Sequence, residues 1–160
     1  MERQLVLMRH GQAANPVGLG RDIERPLTAA GHLEAARVAA DLLEAGFEVG
    51  AIVCSGAVRA RETADVVARK LGIDGGAVMV VPSLYLGGLD ELREAATGFA
   101  AGATGLLAVG HNPGWSEAAS MLSRAPVGLG TACAARFALR GATWADALLG
   151  PAEALGVLRP

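Results

Sequence analysis

The sequence predicts an α/β fold, a three-layer α/β/α sandwich with a mostly parallel central sheet. Short runs of uninterrupted apolar residues are typical of strands that are covered on both faces. Helical patterns fill the chain between these runs, and this alternation is expected of parallel βαβ units. The four apolar runs are residues 5–8, 51–54, 78–81 and 106–109.

The length of the chain, 160 residues, limits how it is organised. A chain of this length forms one domain of ordinary size, which buries roughly 70% of its unfolded surface on folding. The sequence contains no internal repeat, linker or low-complexity segment. We therefore expect one domain that covers residues 1–160.

The first helix is predicted to follow the first strand and to begin after Thr28, a residue type that is favoured at helix N-caps. Gly46 is a natural stop for this helix. Apolar residues at helical spacing predict its buried face: Leu33, Ala36, Ala40 and Leu43. Charged residues predict the opposite, solvated face: Glu34, Arg37, Asp41 and Glu44.

The second helix is predicted to start at Ser55 and to end at Gly72. Its predicted buried face consists of Ala60, Ala64, Val67 and Leu71. Weaker helical patterns cover residues 90–97 and 114–123. Residues 133–139 alternate in the manner of a half-exposed strand, and no element is predicted after Gly141.

Charge and hydropathy exclude several classes of protein. The net charge is −2 and the basic residues form no run, so binding to nucleic acid or to an acidic membrane surface is not expected. Mean hydropathy is +0.37, but the apolar stretches at residues 75–89 and 95–110 are shorter than the ~20 residues of a membrane-spanning helix and are broken by Gly, Thr or Pro. Cys54 and Cys133 are far apart and the amino terminus shows no cleavage site, so we expect a reduced, cytoplasmic protein without a targeting segment.

Three loops are expected to meet at one edge of the sheet, because ligands gather beyond the carboxyl ends of parallel strands. His10 and His111 lie in two of these loops, each after an apolar run. Arg59 falls in the first turn of the second helix, where the helix dipole disfavours a cation unless an anion binds there. Each residue alone has an ordinary role as a strand cap or a solvated side chain. Together with Arg9 they favour a phosphate site at residues 9–11, 55–59 and 110–113.

Four motifs in a fixed order carry a family resemblance. They are Leu7-Met8-Arg9-His10-Gly11, Arg25-Pro26-Leu27-Thr28-Ala29-Ala30-Gly31, Cys54-Ser55-Gly56-Ala57-Val58-Arg59-Ala60-Arg61-Glu62-Thr63-Ala64 and Val109-Gly110-His111-Asn112-Pro113. Over about residues 5–139 the chain resembles the histidine phosphatase (phosphoglycerate mutase-like) superfamily, and most closely its short branch of protein phosphohistidine phosphatases, called SixA. The resemblance implies the core fold of that superfamily without a large cap, because residues 72–110 leave room only for a strand, a loop and one short helix.

The resemblance also implies roles for residues of the three loops. His10 would be the nucleophile that accepts the phosphoryl group. Arg9, Arg59 and His111 would hold the phosphoryl oxygens and stabilise their charge. No metal or cofactor is implied, and the usual clustered spacings of metal ligands are absent from the sequence. The remaining substrate-binding residues would be Gly11, Gln12, Arg25 and Asn112.

One departure from the family's pattern concerns the general acid. Many members carry a glutamate near the segment that corresponds to residues 83–88, where this chain has Leu86. Asp22 and Asp90 are alternative proton donors, although each has an ordinary role as a loop or helix-start residue. An alkoxide leaving group needs a proton, whereas the labile P–N bond of phosphohistidine needs less help. The missing glutamate therefore favours phosphohistidine as the substrate.

The expected function is a metal-independent phosphatase that works through a phosphohistidine intermediate and an open, shallow pocket. Its expected substrate is phosphohistidine on a partner protein, for example a histidine-phosphotransfer domain. Three alternatives remain: a phosphomonoesterase of broad specificity for small phosphorylated molecules, a phosphate-binding module without turnover, and a metallohydrolase that uses His10 and His111. The presence of His10 disfavours the binding module, because arginines alone suffice to bind phosphate.

Overall fold

The computed structural model describes residues 1–16, 18 and 20–160. Within these residues the strands are β1 (Glu2–Arg9), β2 (Ala51–Cys54), β3 (Val78–Val80), β4 (Gly105–Gly110), β5 (Ala134–Arg140) and β6 (Ala152–Leu158). The helices are α1 (Ala29–Glu44), α2 (Val58–Lys70), α3 (Leu89–Phe99), α4 (Gly114–Ser123) and α5 (Trp144–Leu149). Short 3-10 turns lie at Asp22–Glu24, Gly75–Ala77 and Pro82–Leu84.

The strands form one six-stranded sheet in the order β3-β2-β4-β1-β5-β6. The pairs from β3 to β1 are parallel, whereas β5 and β6 join in antiparallel orientation. In the centre, Leu7 of β1 lies beside Ala108 of β4 on one side and Ala135 of β5 on the other. The prediction of a mostly parallel central sheet is confirmed.

Two hydrophobic clusters cover the two faces of the sheet. Side chains of β1 alternate between them: Leu5 and Leu7 belong to one cluster, and Val6 and Met8 belong to the other. Helices α1 and α2 cover the Val6 face, and α3, α4 and α5 cover the Leu7 face. The three-layer arrangement is therefore confirmed. Across the described residues, no helix combines the length and the apolar character needed to cross a bilayer.

The buried face of α1 differs from the prediction. Leu33 is 61% exposed and Leu43 is 54% exposed, whereas Ala35, Val38 and Leu42 are buried. The predicted face is thus wrong by about one residue. The physical reason is that small residues on the buried face let the helix approach the sheet closely, and with this face inward Leu42 packs in the core while Leu33 and Leu43 do not. The buried residues are Gly31, Ala35, Val38, Ala39 and Leu42.

Helix α2 begins later than predicted, at Val58 instead of Ser55. The Ser55 hydroxyl accepts a hydrogen bond from the Ala57 backbone N–H, which stabilises a turn ahead of the helix. Arg59 still lies in the first helical turn, as predicted, and the predicted buried residues Ala60, Ala64 and Val67 are buried.

Two elements at the carboxyl end were not predicted, α5 and β6. Helix α5 buries Trp144 and has Thr143 as its N-cap, so a capping signal for it is present in the sequence. Strand β6 lies at the edge of the sheet with most of its residues exposed, and it lacks the apolar run or the clean alternation by which the other strands are recognised.

The topology places the three predicted loops together. Strands β1, β2 and β4 are adjacent and parallel, and their carboxyl ends are in register, with Arg9 beside Gly110 and Cys54 beside Val109. The chain between α2 and β4 forms only β3, α3 and two 3-10 turns. Within the described chain, this segment contains no additional helix that would form a cap.

Gly31 in α1 is expected to be essential for the contact between this helix and the loop after β1. A Cβ atom at Gly31 would lie 2.1 Å from the Gln12 carbonyl oxygen, which is backbone and cannot rotate away. We predict that Gly31→Ala lowers the free energy of unfolding by about 1–3 kcal/mol, measured by urea denaturation.

The matched control is Gly98→Ala, in the exposed part of α3, where an added Cβ meets nothing within 4 Å. This change should raise the free energy of unfolding by roughly 0.5–1 kcal/mol, because alanine loses less backbone entropy in a helix. Equal effects of the two substitutions would contradict the close contact at Gly31.

Candidate active site

The predicted catalytic residues line one pocket at the carboxyl edge of the parallel strands. This pocket has a volume of about 310 Å³. Its walls include Arg9, His10, Arg59 and His111, and also three of the predicted substrate-binding residues, Gln12, Arg25 and Asn112. The structure therefore brings together side chains, such as those of Arg9 and Asn112, that are 103 positions apart in the sequence.

His10 is buried directly after β1, and its ring is held in one orientation. Its Nδ1 lies 2.6 Å from the carbonyl oxygen of Gly11. Because a carbonyl oxygen only accepts hydrogen bonds, Nδ1 carries the proton, and the lone pair of the neutral ring is on Nε2. Arg59 Nε donates to this Nε2 at 3.3 Å. A neutral imidazole of this tautomer is a nucleophile with its reactive nitrogen among cationic side chains.

Thr63 connects the His10 loop to α2. Its hydroxyl accepts from the Gly11 backbone N–H at 3.1 Å and donates to the Arg59 carbonyl oxygen at 2.8 Å. Thr63 is fully buried, so both bonds are shielded from water. Gly11 thus contributes its backbone: the carbonyl oxygen orients His10, and the N–H fixes the loop to α2.

The Arg9 side chain is held by a backbone carbonyl oxygen that the Asn112 side chain also contacts. Its Nη1 donates to the Leu129 carbonyl oxygen at 3.1 Å, and Asn112 Nδ2 donates to the same oxygen at 2.7 Å. The Asn112 side-chain oxygen accepts from the hydroxyl of Ser116 at 2.7 Å. Asn112 therefore both lines the pocket and fixes the loop that binds Arg9.

His111 follows β4 and is buried, with an exposed fraction of 2%. Its Nε2 lies 2.6 Å from the hydroxyl oxygen of Ser55. Its Nδ1 is buried and has no hydrogen-bond partner among the residues that the structure describes. The rings of His111 and His10 are close, with centroids 5.2 Å apart.

Asp22 occupies the remaining side of Arg59. Arg59 Nη2 donates to Asp22 Oδ2 at 2.9 Å, and Nη1 donates to the Asp22 carbonyl oxygen at 2.7 Å. Arg25 and the Tyr85 hydroxyl also donate to the Asp22 carboxylate. The exposed carboxylate of Asp22 thus fixes the positions of Arg25 and Arg59.

Burial and charge determine the protonation of the site. Burial lowers the pKa of His10 to about 4, and the cationic Arg59, Arg9 and Arg25 add to this effect. Burial likewise lowers the pKa of His111 to about 3, helped by His10 and Arg59. The hydrogen bonds from Tyr85, Arg25 and Arg59 hold the pKa of Asp22 well below its usual range. At neutral pH both histidines are therefore neutral, and Asp22 is an anion.

Leu86 stands where the family's pattern predicts a glutamate, and Asp90 is the second alternative proton donor. Leu86 lines the pocket with an exposed side chain and a φ of 57°. Asp90 is in the first turn of α3, where its exposed carboxylate accepts from Arg93 at 3.1 Å, and it does not line the pocket. Over residues 1–16, 18 and 20–160, no three histidine, cysteine, aspartate or glutamate side chains are grouped so that they could hold a metal ion.

Several residues of the site were not identified from the sequence. Glu34, predicted to be on a solvated face, accepts from the Gln12 backbone N–H at 2.8 Å and from Thr131, so it connects α1 to two loops of the pocket. Ser55 is predicted only as part of the 55–59 segment of the phosphate site and as the start of the second helix, and no role is predicted for Tyr85. Ser55 directly follows a strand at the carboxyl edge, and this position was the available signal. No comparable signal marks Glu34, because its partners are distant in the sequence.

The fold and the site define a class of protein: an α/β enzyme that handles phosphoryl groups with a neutral histidine and surrounding arginines. Residues 5–150 match the family described as histidine phosphatase superfamily (branch 1). The chain therefore belongs to this family, and it is a phosphatase that acts through a histidine.

Individual proteins and structures are similar to this chain over most of its length. An uncharacterised chloroplastic protein of Arabidopsis thaliana is 34% identical over 163 residues, which cover 94% of this chain and 74% of that protein. A structure named as a phosphohistidine phosphatase SixA of Nakamurella multipartitia has 30% identity and a TM-score of 0.81, covering 100% of this chain and 97% of the other. A protein histidine phosphatase SixA complexed with tungstate, at 24% identity, shares the fold with a TM-score of 0.80 over 98% and 96% of the two chains.

The low pKa of His10 predicts how the site responds to acid. We expect the His10 ring to gain its second proton at about pH 4, measured by NMR titration of histidine-labelled protein, with His10→Gln used to assign the signal. Activity should accordingly persist down to about pH 5 and fall below it. A His10 titration midpoint at 6.5 or above would contradict the described burial and charge.

The lowered pKa of His10 also predicts how the free energy of unfolding changes with pH. The folded state binds the proton of His10 only near pH 4, whereas the unfolded chain binds it near the ordinary value of 6.5. Between these two values the unfolded chain holds more protons, so the free energy of unfolding should fall as the pH is lowered from 6.5 to 4. In His10→Gln this slope should be smaller, and an unchanged slope would count against the prediction.

Proposed function

We propose that the chain hydrolyses phosphohistidine on a partner protein through a covalent intermediate at His10. In the first step His10 Nε2 attacks phosphorus, a new N–P bond forms, and the bond from phosphorus to the substrate nitrogen breaks with its electron pair on that nitrogen. In the second step water attacks the phosphohistidine and its proton is lost, so that inorganic phosphate leaves and His10 regains its lone pair. Such a two-step route divides one difficult displacement into two easier ones.

The arginines supply the charge that this route needs. Arg59 Nε already contacts the attacking nitrogen, and Arg9 and Arg25 line the same pocket. Fixed cations stabilise the charge that is spread over the phosphoryl oxygens, which is the dominant contribution in phosphoryl transfer. We assign Arg9, Arg59 and His111 to the phosphoryl oxygens, and Arg25, Gln12 and Asn112 to positions further out.

The choice of phosphohistidine depends on one observation: the pocket contains no protonated carboxyl group among the described residues. Leu86 lines it where the family's pattern leads one to expect a glutamate, and the nearby Asp22 is held as an anion. An alkoxide leaves slowly without a proton donor, whereas the nitrogen of a phosphohistidine leaves readily. Asp22 therefore acts in this proposal by positioning Arg59, and Asp90 has no role.

A phosphoprotein substrate also agrees with the shape of the site. The segment between α2 and β4 forms only β3, α3 and two 3-10 turns, so it adds no cap over the pocket. The exposed side chain of Leu86 lies at the pocket's wall. An imidazole that projects from a folded partner, such as a histidine-phosphotransfer domain, can approach such a pocket without the partner having to unfold.

The test is a chelator-treated assay that compares a phosphohistidine-bearing protein with a simple alkyl phosphate. We expect wild-type protein to release inorganic phosphate from the first substrate much faster than from the second. His10→Ala should abolish release from both, whereas His32→Ala, which removes a histidine that does not line the pocket, should retain it. Faster turnover of the alkyl phosphate would favour the phosphomonoesterase, and no turnover with tight phosphate binding would favour the binding module.

A substitution at Leu86 tests the missing acid directly. We predict that Leu86→Glu raises the turnover of an alkyl phosphate by about 10–100-fold, below the full effect of an evolved general acid. It should change phosphohistidine turnover much less. The matched control is Leu86→Gln, which has the same shape without an acidic proton. If both variants change ester turnover alike, the absence of an acid does not determine substrate choice.

A further inference from the structure

We propose that Ser55 is a positioning residue that fixes the tautomer of His111, so that His111 presents Nδ1–H as a hydrogen-bond donor to the phosphoryl group. Ser55 is fully buried, and its hydroxyl oxygen lies 2.6 Å from His111 Nε2. The donor part of this inference rests on the proposed function, because it requires a phosphoryl group in the pocket. The tautomer itself does not depend on that function.

The hydroxyl of Ser55 has two hydrogen-bond contacts, with Ala57 and with His111. A serine hydroxyl has one proton to donate. The Ala57 backbone N–H donates to this oxygen at 3.2 Å, so the contact with Ala57 uses an acceptor site and leaves the proton free. Among the described residues, the one acceptor within hydrogen-bond distance of that proton is His111 Nε2.

Only one tautomer of a neutral His111 provides a hydrogen-bond partner for both the Ser55 hydroxyl proton and His111 Nε2. If the Ser55 hydroxyl donates to Nε2, this nitrogen holds a lone pair and the ring proton is on Nδ1. In the other tautomer Nε2–H would donate to Ser55, and two buried groups would then lack partners among the described residues: the hydroxyl proton of Ser55 and the Nδ1 lone pair of His111. The first tautomer leaves one such group, Nδ1–H. A buried donor without a partner is unfavourable. His111 is neutral, since burial and the neighbouring His10 and Arg59 lower its pKa to about 3.

The preferred tautomer leaves one buried donor unmatched, Nδ1–H of His111. This nitrogen has no partner in the part of the chain that the structure describes, although His111 lines the pocket. Its ring lies 5.2 Å from that of His10, whose Nε2 faces the same pocket. A phosphoryl oxygen beside His10 supplies the missing acceptor. Unlike an arginine, a neutral N–H adds no charge that would hold the product phosphate.

The tautomer can be measured without any substrate. Long-range ¹H–¹⁵N correlation spectra of histidine-labelled protein distinguish a protonated ring nitrogen from one with a lone pair, and the chain has only three histidines to assign. We expect His111 to carry its proton on Nδ1 in wild-type protein and to become a mixture of tautomers in Ser55→Ala. A proton on Nε2 in wild-type protein, or an unchanged tautomer in Ser55→Ala, overturns the inference about Ser55.

Addition of inorganic phosphate tests the donor part. The resonance of His111 Nδ1–H should shift when phosphate binds to wild-type protein and should not shift in Arg59→Ala, in which phosphate binding is weakened. If phosphate binds, as shown by other pocket resonances, and Nδ1–H does not shift, the donor role is overturned. If His10 forms no phosphoenzyme but the tautomer is as described, the proposed function fails and the role of Ser55 stands.

Two substitutions of His111 separate its nitrogens in activity. Asparagine places an N–H near the position of Nδ1, whereas glutamine places one near Nε2. We expect His111→Asn to retain about tenfold more kcat than His111→Gln, as one phosphoryl donor is kept in the first and lost in the second. Equal activity, or more activity in His111→Gln, contradicts the assignment.

Ser55 variants, compared with a stability control, test whether Ser55 acts on the reaction or only on the stability of the fold. Ser55→Ala should lower kcat by about tenfold with little change in KM, and Ser55→Thr, which keeps the hydroxyl, should recover most of it. Thr143→Ala removes the N-cap of α5, remote from the pocket, and should lower the unfolding temperature with kcat unchanged. A loss of kcat in Thr143→Ala equal to that in Ser55→Ala would indicate a merely structural effect.

Discussion

The hydrogen bond from His10 Nδ1–H to the Gly11 carbonyl oxygen is the interaction on which the rest of the site depends. It places the lone pair of the neutral ring on Nε2, the nitrogen that Arg59 contacts. The carbonyl oxygen is itself fixed, because Thr63 holds the Gly11 N–H and the backbone of this loop packs closely against Gly31. Helices α1 and α2 thus orient His10 through the backbone of one loop.

A second constraint is the balance of charge in the pocket. Arg9, Arg25 and Arg59 lie near two buried histidines, and burial, with a smaller contribution from these cations, keeps both rings neutral. Asp22 offsets part of the cationic charge, since it accepts hydrogen bonds from two of the arginines. Arg59 divides its donors between Asp22 and His10. A phosphoryl group that arrives with its own negative charge therefore meets donors that are already oriented, and little side-chain movement is needed to bind it.

The sequence predicted those features that depend on local pattern. The apolar runs predicted the parallel strands. The positions of His10 and His111 directly after two of these strands predicted that both histidines lie at one edge of the sheet. The buried face of α1 was predicted wrongly, because alanine and glycine pack more closely against a sheet than leucine and carry little hydropathy signal. The contacts of Glu34 and Tyr85 could not be predicted, because each depends on partners that only the fold brings near. Strand β6 was missed because an exposed edge strand has no strong apolar pattern.

The central claim is that His10 Nε2 accepts the phosphoryl group, and the position of phosphorus in a trapped intermediate tests it most directly. Wild-type protein would be mixed with a phosphohistidine-bearing protein, quenched rapidly in base, digested, and analysed by mass spectrometry and by ³¹P NMR, which distinguishes the two phosphohistidine isomers. We predict phosphate on Nε2 of His10. Phosphate on Nδ1 of His10, phosphate on His111, or turnover without any phosphoenzyme at the earliest quench times would contradict it.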